Sequence, residues 1–438
     1  MLATATEETS LEQNHAPTLA QATRIWTKIG LMSFGGPAAQ IALMHRILVD
    51  DKRWLNEKTY LNALSFCMLL PGPEAMQLAT YAGWRLHGTL GGLIAGLLFV
   101  LPGAVVVLVF SIVYAMLGDV PLVNTLFLGI KATVLVIVLE ALLRVAKRTM
   151  KSAIYWAIAM FAFVGIFFMS LPYPLIVLGA AAIGFFLNAA PADTSIEIDQ
   201  THRSLSRLAR TVLIWLAIWA LPILVIDFFF SQQLLLEISL FFSRLAVVTF
   251  GGAYAVLAYM GQAAVSDYGW LSAGEMMDGL GLAETTPGPL ILVTEFVGFI
   301  AAFREGGIGL GLAGAAVTLW TTFVPCFLWI FAGAPHIEWI CHQPRLNGAL
   351  TAISAAVVGV ILNLSIWFAL HVVFKSVSVE KYGIFTVWQP DLFSIDFRVV
   401  VLTTLSAAMI FKLHWSISRV LLISSICAVL LVSVAGYI

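Results

Sequence analysis

The chain has 438 residues, of which 61% are hydrophobic and only 11% carry a charge. A soluble globular domain has about 25% charged residues, so this composition excludes an ordinary soluble protein and indicates an integral membrane protein. The formal net charge of −1 argues against nucleic acid as a partner, because nucleic-acid-binding proteins present a basic surface.

The cysteines and histidines do not predict a metal site. None of the four cysteines belongs to a CxxC pair, so neither a disulfide framework nor a redox motif is indicated. His336, Cys341 and His342 share one loop, but they lack the ligand spacing of a zinc site, and a solvated loop is the favoured interpretation. The sequence therefore predicts neither a metal nor another cofactor.

Three short motifs occur twice at a single offset, which indicates an internal duplication. The differences 250 − 34, 270 − 54 and 287 − 71 all equal 216. The paired motifs are Phe34-Gly35-Gly36 with Phe250-Gly251-Gly252, Trp54-Leu55 with Trp270-Leu271, and Pro71-Gly72-Pro73 with Pro287-Gly288-Pro289. Helix breaks at corresponding places in two halves of a membrane protein point to a substrate site. The alternative is a duplicated scaffold whose glycines serve only close helix packing.

The duplication predicts an all-α polytopic membrane protein built from two inverted repeats. In chain order we expect a disordered cytoplasmic tail (1–20), a first transmembrane repeat (21–190), a cytoplasmic linker (191–210), an extra connecting span (211–232) and a second, inverted transmembrane repeat (233–438). The tail is polar and has no apolar core, so it is not a signal peptide.

About 13 apolar segments are predicted, most of them near the ~20 residues that cross the hydrocarbon core. In the first repeat they are Ile25–Leu48, Tyr60–Trp84, Leu90–Met116, Leu122–Val145, Ala153–Met169 and Tyr173–Asn188. The extra span is Thr211–Phe230, and the segments that follow it are Leu236–Met260, Met276–Phe303, Gly306–Phe331, Leu346–Phe374, Phe397–Phe411 and Ile417–Val434. The first two segments contain the breaks, and each either crosses as a broken helix or dips in and returns. Irregular backbone at that depth needs protein or water around it.

Basic residues set the predicted orientation in the membrane. Lys and Arg cluster in the loops after the fourth and the sixth segments, whereas the connection between them, Ser170–Pro172, has no positive charge. The positive-inside rule places both basic loops in the cytoplasm. We therefore expect a cytoplasmic N-terminus, a second repeat that begins on the opposite side, and an external C-terminus.

The breaks are predicted to form an anion site. A helix interrupted within the membrane exposes N–H groups where it restarts, and these groups and the helix dipole attract anions. Glycine at the break lets the backbone approach a ligand closely, and inverted repeats would bring two such ends together near the midplane. The candidate substrate-binding residues at the breaks, with the neutral donors beside them, are Phe34, Gly35, Gly36, Gln40, Pro71, Gly72, Pro73, Gln77, Gly251, Gly252, Tyr254, Thr285, Thr286, Pro287, Gly288 and Pro289.

Two cations inside the apolar segments are further substrate-binding candidates. Lys131 lies near the middle of its segment, where a charge costs roughly 2.5–3.5 kcal/mol on insertion scales, so it must face a partner, a cavity or the anion. The competing interpretation is a structural ion pair of Lys131 with Glu140 or Glu74. Arg244 lies near the second Phe-Gly-Gly motif, and its competing interpretation is snorkelling to the surface.

Three carboxylates near the breaks are candidates for ion coupling. Glu74 directly follows the first Pro-Gly-Pro motif, and Glu284 and Glu295 flank the second. A carboxylate beside an anion site must be neutralised when a dianion binds, and a proton would do this while linking proton movement to anion movement. The alternative role of Glu74 is to stabilise the start of a helix.

The ordered set of motifs resembles the chromate ion transporter family in its long, two-repeat form. The first half reads Ser33-Phe34-Gly35-Gly36-Pro37 and then Leu70-Pro71-Gly72-Pro73-Glu74, and the second reads Thr249-Phe250-Gly251-Gly252-Ala253 and then Thr286-Pro287-Gly288-Pro289-Leu290. The resemblance implies a multi-pass protein of the bacterial inner membrane that exports chromate and gives chromate resistance. In that membrane, the external C-terminus predicted from the basic loops is periplasmic. Sulfate is the related anion. Ala253 and Leu290 replace Pro37 and Glu74, so the halves are not chemically equivalent.

Other functions remain as alternatives at this stage. An anion channel and a sulfate-type oxyanion uptake transporter both fit the same residues. An enzyme is disfavoured, since the sequence contains no HExxH pair, no GxSxG elbow and no Walker motif. The predicted partners are chromate, sulfate and the lipid bilayer, and a homodimer is left open.

Overall fold

The computed structural model describes residues 17–117, 120–187, 205–230, 232–250, 253–337 and 343–435. Most of the predicted tail, most of the predicted linker, and Cys341 and His342 lie outside these ranges. The helices of the first half are α1 (Leu19–Met32), α2 (Gly36–His45), α3 (Glu57–Leu69), α4 (Glu74–Leu117), α5 (Pro121–Thr149), α6 (Ala153–Phe167) and α7 (Tyr173–Leu187). Those that follow are α8 (Leu205–Val225), α9 (Gln233–Val248), α10 (Ala253–Gln262), α11 (Ala273–Thr285), α12 (Val293–Gly333), α13 (Pro344–Val373), α14 (Phe397–Ala407) and α15 (Ile417–Ala435).

Within the described ranges, five stretches of helix are long and apolar enough to cross a membrane. They are Glu74–Leu117, Pro121–Thr149, Leu205–Phe228, Leu290–His336 and Pro344–Val373. Ala153–Phe167, Tyr173–Leu187 and Ile417–Ser433 are shorter apolar helices. These helices agree with the expected polytopic, mainly α-helical membrane protein.

Helices α4 and α12 fold back on themselves. A straight helix of 44 residues would be roughly 66 Å long, twice the hydrocarbon thickness. Instead, the backbone leaves the helical region at His87-Gly88 in α4 and at Gly306-Gly307 in α12, with nearly identical dihedral angles. Glycines pack face to face on the two sides of each bend, because a Cβ at Gly83 would lie 2.3 Å from the carbonyl oxygen of Gly91. Each helix is therefore a short arm followed by a long arm.

The short helices pair into hairpins. The Tyr60 hydroxyl of α3 donates to the Ile41 carbonyl of α2 at 2.7 Å, and the ring of Phe241 in α9 lies 5.7 Å from that of Tyr259 in α10. A Cβ on Gly279 of α11 would lie 2.4 Å from the Phe296 ring of α12. The apolar segments that contain the breaks are therefore built from pairs of packed short helices. The predicted segment Ile25–Leu48, for example, is two helices divided after Met32.

The two halves exchange their last helices. In the first half, Gly129 of α5 packs against Ser424 of α15, and a Cβ at Gly129 would lie 2.4 Å from the Ser424 carbonyl oxygen. In the second half, α13 packs against α6 and α7 of the first, because a Cβ at Gly184 of α7 would lie 2.3 Å from the Gly348 carbonyl oxygen. Small residues let these backbones approach closely. The repeats are consequently interlocked instead of lying side by side.

Two features depart from the predicted organisation. Helix α8 begins at Leu205, so the last six residues of the predicted linker are helical, and Trp215 of α8 stacks on Phe327 of α12 at 5.6 Å. Between α13 and α14 an antiparallel hairpin of β1 (Val377–Tyr382) and β2 (Phe385–Pro390) was not predicted. Valine, threonine and aromatic residues, which favour strands, make up most of the two segments. This hairpin is an exception to the predicted all-α fold.

Candidate functional site

The helix breaks of the two halves meet through reciprocal hydrogen bonds. The Gly72 N–H donates to the Thr249 carbonyl at 2.9 Å, and the Gly288 N–H donates to the Ser33 carbonyl at 2.7 Å. Each Pro-Gly-Pro break thus binds the residue that precedes the Phe-Gly-Gly motif of the other half. We call this meeting point, residues 33–36, 70–73, 249–250 and 286–289, the hub. The duplicated motifs predicted from sequence are therefore brought together.

Glycine is required at the centre of each Pro-Gly-Pro break. Gly72 has φ +112° and Gly288 has φ +95°, a left-handed conformation that other L-residues rarely adopt. A Cβ on Gly288 would lie 3.2 Å from the Gly103 Cα of α4, and one on Gly72 would lie 3.0 Å from the Cys326 sulfur of α12. Each break is thus seated against the long arm of the other half.

Two glutamines predicted as anion ligands are fully buried beside the hub. Gln40 donates through Nε2 to the Gly288 carbonyl at 2.6 Å and lies 3.3 Å from the Ser33 carbonyl. Gln77 donates through Nε2 to the Pro71 carbonyl at 2.7 Å. Both Oε1 atoms are buried and have no hydrogen-bond partner among the described residues. In this conformation the Gln40 amide links the two halves and the Gln77 amide binds the first break, so these hydrogen bonds must break before the same N–H groups can bind an anion.

Tyr254 and Glu284 form a buried pair one helical turn from the second break. The Tyr254 hydroxyl donates to Glu284 Oε1 at 2.9 Å. Arg144 of α5 lies nearby and forms an ion pair with Glu140 at 2.5 Å. The structure therefore joins a predicted substrate ligand to a predicted coupling carboxylate.

Other predicted ligands form hydrogen bonds within their own helix or lie apart from the hub contacts. The Thr285 hydroxyl donates to Leu282 at 2.8 Å and that of Thr286 to Ala283 at 3.2 Å, both backbone carbonyls of α11. The side chain of Arg244 is exposed, in keeping with snorkelling, and Phe34 is 47% exposed. Gly251 and Gly252 lie outside the described residues.

The remaining coupling candidates occupy different environments. Glu74 is the first residue of α4, as expected for a carboxylate at a helix start. Glu295 of α12 is 1% exposed, and its Oε2 has no hydrogen-bond partner among the described residues. A carboxylate buried in this way is costly unless it is neutralised or paired.

Lys131 pairs with a carboxylate that the sequence analysis did not single out. Its Nζ lies 3.2 Å from Asp278 Oδ2 of α11, and the Tyr114 hydroxyl donates to the same oxygen at 2.8 Å. The predicted alternative partners are wrong, because Glu140 pairs with Arg144 and Glu74 lies at the start of α4. An acidic residue inside the apolar segment Met276–Phe303 was a signal that could have identified Asp278.

The Lys131–Asp278 pair opens into a polar cavity of about 580 Å³. Arg304 also lines it and forms an ion pair with Glu275 near the open end of the α11–α12 hairpin. Asp278 lies seven residues before Thr285, or roughly 10 Å along the helix from the second break. The molecule therefore has two polar regions on one hairpin: the hub at its tip and this cavity nearer its base.

Comparison with known proteins identifies relatives across most of the chain. The model of the chromate transporter family matches residues 20–185 and 236–433. A probable chromate transport protein of Synechococcus elongatus is 27% identical over 81% of this chain and 86% of its own. A chromate transport protein of Pseudomonas aeruginosa is 32% identical over 76% of this chain and 77% of its own. The corresponding protein of Cupriavidus metallidurans is 27% identical over 78% and 81%.

No solved structure matches this chain. The two matched blocks coincide with the two halves joined at the hub, and the segment between them contains α8. The family match covers far more than half of the chain. The chain therefore belongs to the chromate transporter family and is a multi-pass membrane transporter.

Proposed function

We propose that the protein is a secondary transporter that exports chromate across the bacterial inner membrane. The names of its relatives support chromate as the transported ion. The structural observation that carries the proposal is the reciprocal pairing of Gly72 with Thr249 and of Gly288 with Ser33. Helix breaks that converge in this way are typical of transporter substrate sites.

An inverted arrangement of the halves explains this geometry. The arms on either side of each Pro-Gly-Pro break, such as α3 with 13 residues, are about 20 Å long, so their tips reach beyond the centre of a core about 30 Å thick. Tips that start from opposite faces would meet near the midplane, and the hub contacts support this proposal because they bring the tips together. Together with the basic loops, this arrangement gives a cytoplasmic N-terminus and an external C-terminus.

The chemistry at the hub suits a compact oxyanion. The helices that restart after the breaks direct their positive ends toward it, and Gln40 and Gln77 supply amide donors. Chromate and sulfate are tetrahedral and doubly negative in their main neutral-pH forms, so sulfate is the expected competitor.

The closed hub favours a transporter over an anion channel. The N–H groups of Gly72 and Gly288, both amide donors of Gln40 and one amide donor of Gln77 are engaged with protein carbonyls. An anion that enters from either face must therefore replace protein–protein hydrogen bonds. We propose that this replacement opens the hub toward one face at a time, with Glu74, Glu284 and Glu295 as candidates for ion or proton coupling.

Labelled chromate flux tests this proposal. Inverted membrane vesicles that contain the protein should accumulate chromate faster than vesicles without it, and unlabelled chromate on the opposite side should accelerate the exchange. Cells expressing the protein should tolerate chromate better, more so in low sulfate. Flux that unlabelled chromate on the opposite side does not accelerate would indicate a channel, and accumulation only in right-side-out vesicles would indicate uptake.

A further inference from the structure

We propose that Asp278 is a proton-binding carboxylate that controls access of the oxyanion to Lys131 in the polar cavity at the base of the α11–α12 hairpin. This inference rests on the proposed function, because it assigns a second binding position to the same transported anion. The cavity, of about 580 Å³, is large enough for a tetrahedral oxyanion with several waters.

The geometry of Asp278 leaves one oxygen for a proton. The carboxylate is 3% exposed, and its Oδ2 receives both the Tyr114 hydroxyl and the Lys131 ammonium. Oδ1 is buried and has no hydrogen-bond partner among the described residues. An unsatisfied buried oxygen on a charged group is costly, and a proton on Oδ1 would remove that charge.

The charges around the cavity are balanced before any anion arrives. Lys131 and Arg304 are its cations, and Asp278 and Glu275 are its carboxylates. Arg304 is already engaged, since its guanidinium donates to Glu275 and to the Trp270 carbonyl. Lys131 is the cation that remains adjustable, because its side chain is 25% exposed and a long flexible stem allows the ammonium to move. A dianion therefore meets an uncompensated positive charge only if Asp278 is neutralised.

The proposed step transfers one proton and breaks no covalent bond. A proton that enters through the cavity binds the Asp278 carboxylate, and the formal charge of the groups that line the cavity changes from 0 to +1. Lys131 then releases Oδ2 and binds an oxygen of the anion, while the Tyr114 hydroxyl still donates to the carboxyl group. Release of the anion reverses the step and returns the proton to water.

Chromate binding to the purified full-length protein at several pH values is the first test. Because one proton is taken up with each anion, wild-type affinity should fall about tenfold per pH unit above the range in which Asp278 titrates. Asp278→Asn keeps the size of the side chain and carries no charge, so its affinity should vary with pH only as far as chromate itself titrates. Glu380→Gln, a change of an exposed carboxylate on β1, is the matched control and should behave as wild type.

Transport in proteoliposomes separates the role of the proton from that of the anion site. Asp278→Asn should retain chromate–chromate exchange but lose chromate accumulation driven by a pH gradient, and Asp278→Glu should restore part of that accumulation. Lys131→Met should lose exchange as well, because the anion loses its cationic partner.

Two results would overturn the inference while leaving the proposed function intact. One is a wild-type pH dependence of chromate binding in Asp278→Asn. The other is loss of exchange by folded Asp278→Asn at every pH, which would mean that the charged carboxylate is what the site needs. If the wild-type protein neither binds nor exchanges chromate, the proposed function fails, and this inference fails with it.

Discussion

Replacing Gly103 with alanine tests whether the second break must sit directly against α4. Gly103 lies in the long arm of α4, and a Cβ at this position would lie 2.2 Å from the Pro287 carbonyl oxygen and 3.0 Å from the Gly288 Cα. This Cβ would also lie 2.6 Å from the Leu292 Cδ1, which can rotate away, but the two backbone atoms cannot be cleared by a side-chain rotation. The break must move, and the Gly288–Ser33 hydrogen bond would lengthen with it.

The expected cost follows from these contacts. Overpacking a tight interior costs about 1–3 kcal/mol, whereas the gain in helix propensity from glycine to alanine is about 1 kcal/mol at most. We therefore expect Gly103→Ala to destabilise the protein by up to about 2 kcal/mol after this offset and to reduce chromate flux per molecule. Gly179→Ala in α7 is the matched control, because its Cβ would meet no atom within 4 Å.

The assay combines unfolding of the detergent-purified variants, followed by loss of helical signal, with chromate exchange in proteoliposomes. Gly179→Ala should be as stable as wild type or slightly more stable, and it should exchange chromate normally. If Gly103→Ala matches Gly179→Ala in both stability and exchange, close packing of the break against α4 is not needed. The conclusion that the hub contacts are required for transport would then be refuted.

Three further predictions address topology, selectivity and the start of α14. Single cysteines placed in the connections 50–58 and 266–275 should be labelled from opposite faces, and equal labelling from one face would end the inverted-repeat proposal. A tenfold excess of phosphate, which near pH 7 carries a hydroxyl donor, should inhibit chromate flux less than the same excess of sulfate. Amides of Gln40 and Gln77 that donate to the anion turn their Oε1 atoms away from it, so the phosphate hydroxyl stays unsatisfied, at a cost of about 1–3 kcal/mol; stronger inhibition by phosphate would refute this account of the site. Hydrogen bonds from Arg398 lower the pKa of Asp396 below its usual 3.8, so Asp396→Ala should lose about 1 kcal/mol of stability at pH 7. That difference should disappear as the pH falls through the lowered pKa of Asp396, and a difference unchanged in acid would exclude the charge as its source.

The sequence alone determined the class of the protein and the location of its breaks. Composition and apolar length are sums over neighbouring residues, so they require no tertiary information, and they correctly indicated a helical membrane protein. The repeated motifs share one offset, and that offset by itself identifies Gly72 and Gly288 as equivalent positions. Both glycines have a left-handed backbone, as expected for glycine at a helix break. The sequence could indicate this because a break depends on the residues next to it in the chain.

Tertiary structure alone decided which residues meet. The Gly72 N–H pairs with Thr249 and not with a neighbour in its own half, and Lys131 pairs with Asp278 and not with Glu140. Such partners depend on how separate helices approach one another, and helix period and motif spacing contain no information about that approach. Glu140 and Arg144 are four residues apart on one helix, so their pair satisfies a local rule, whereas the partner of Lys131 comes from a hairpin of the other half.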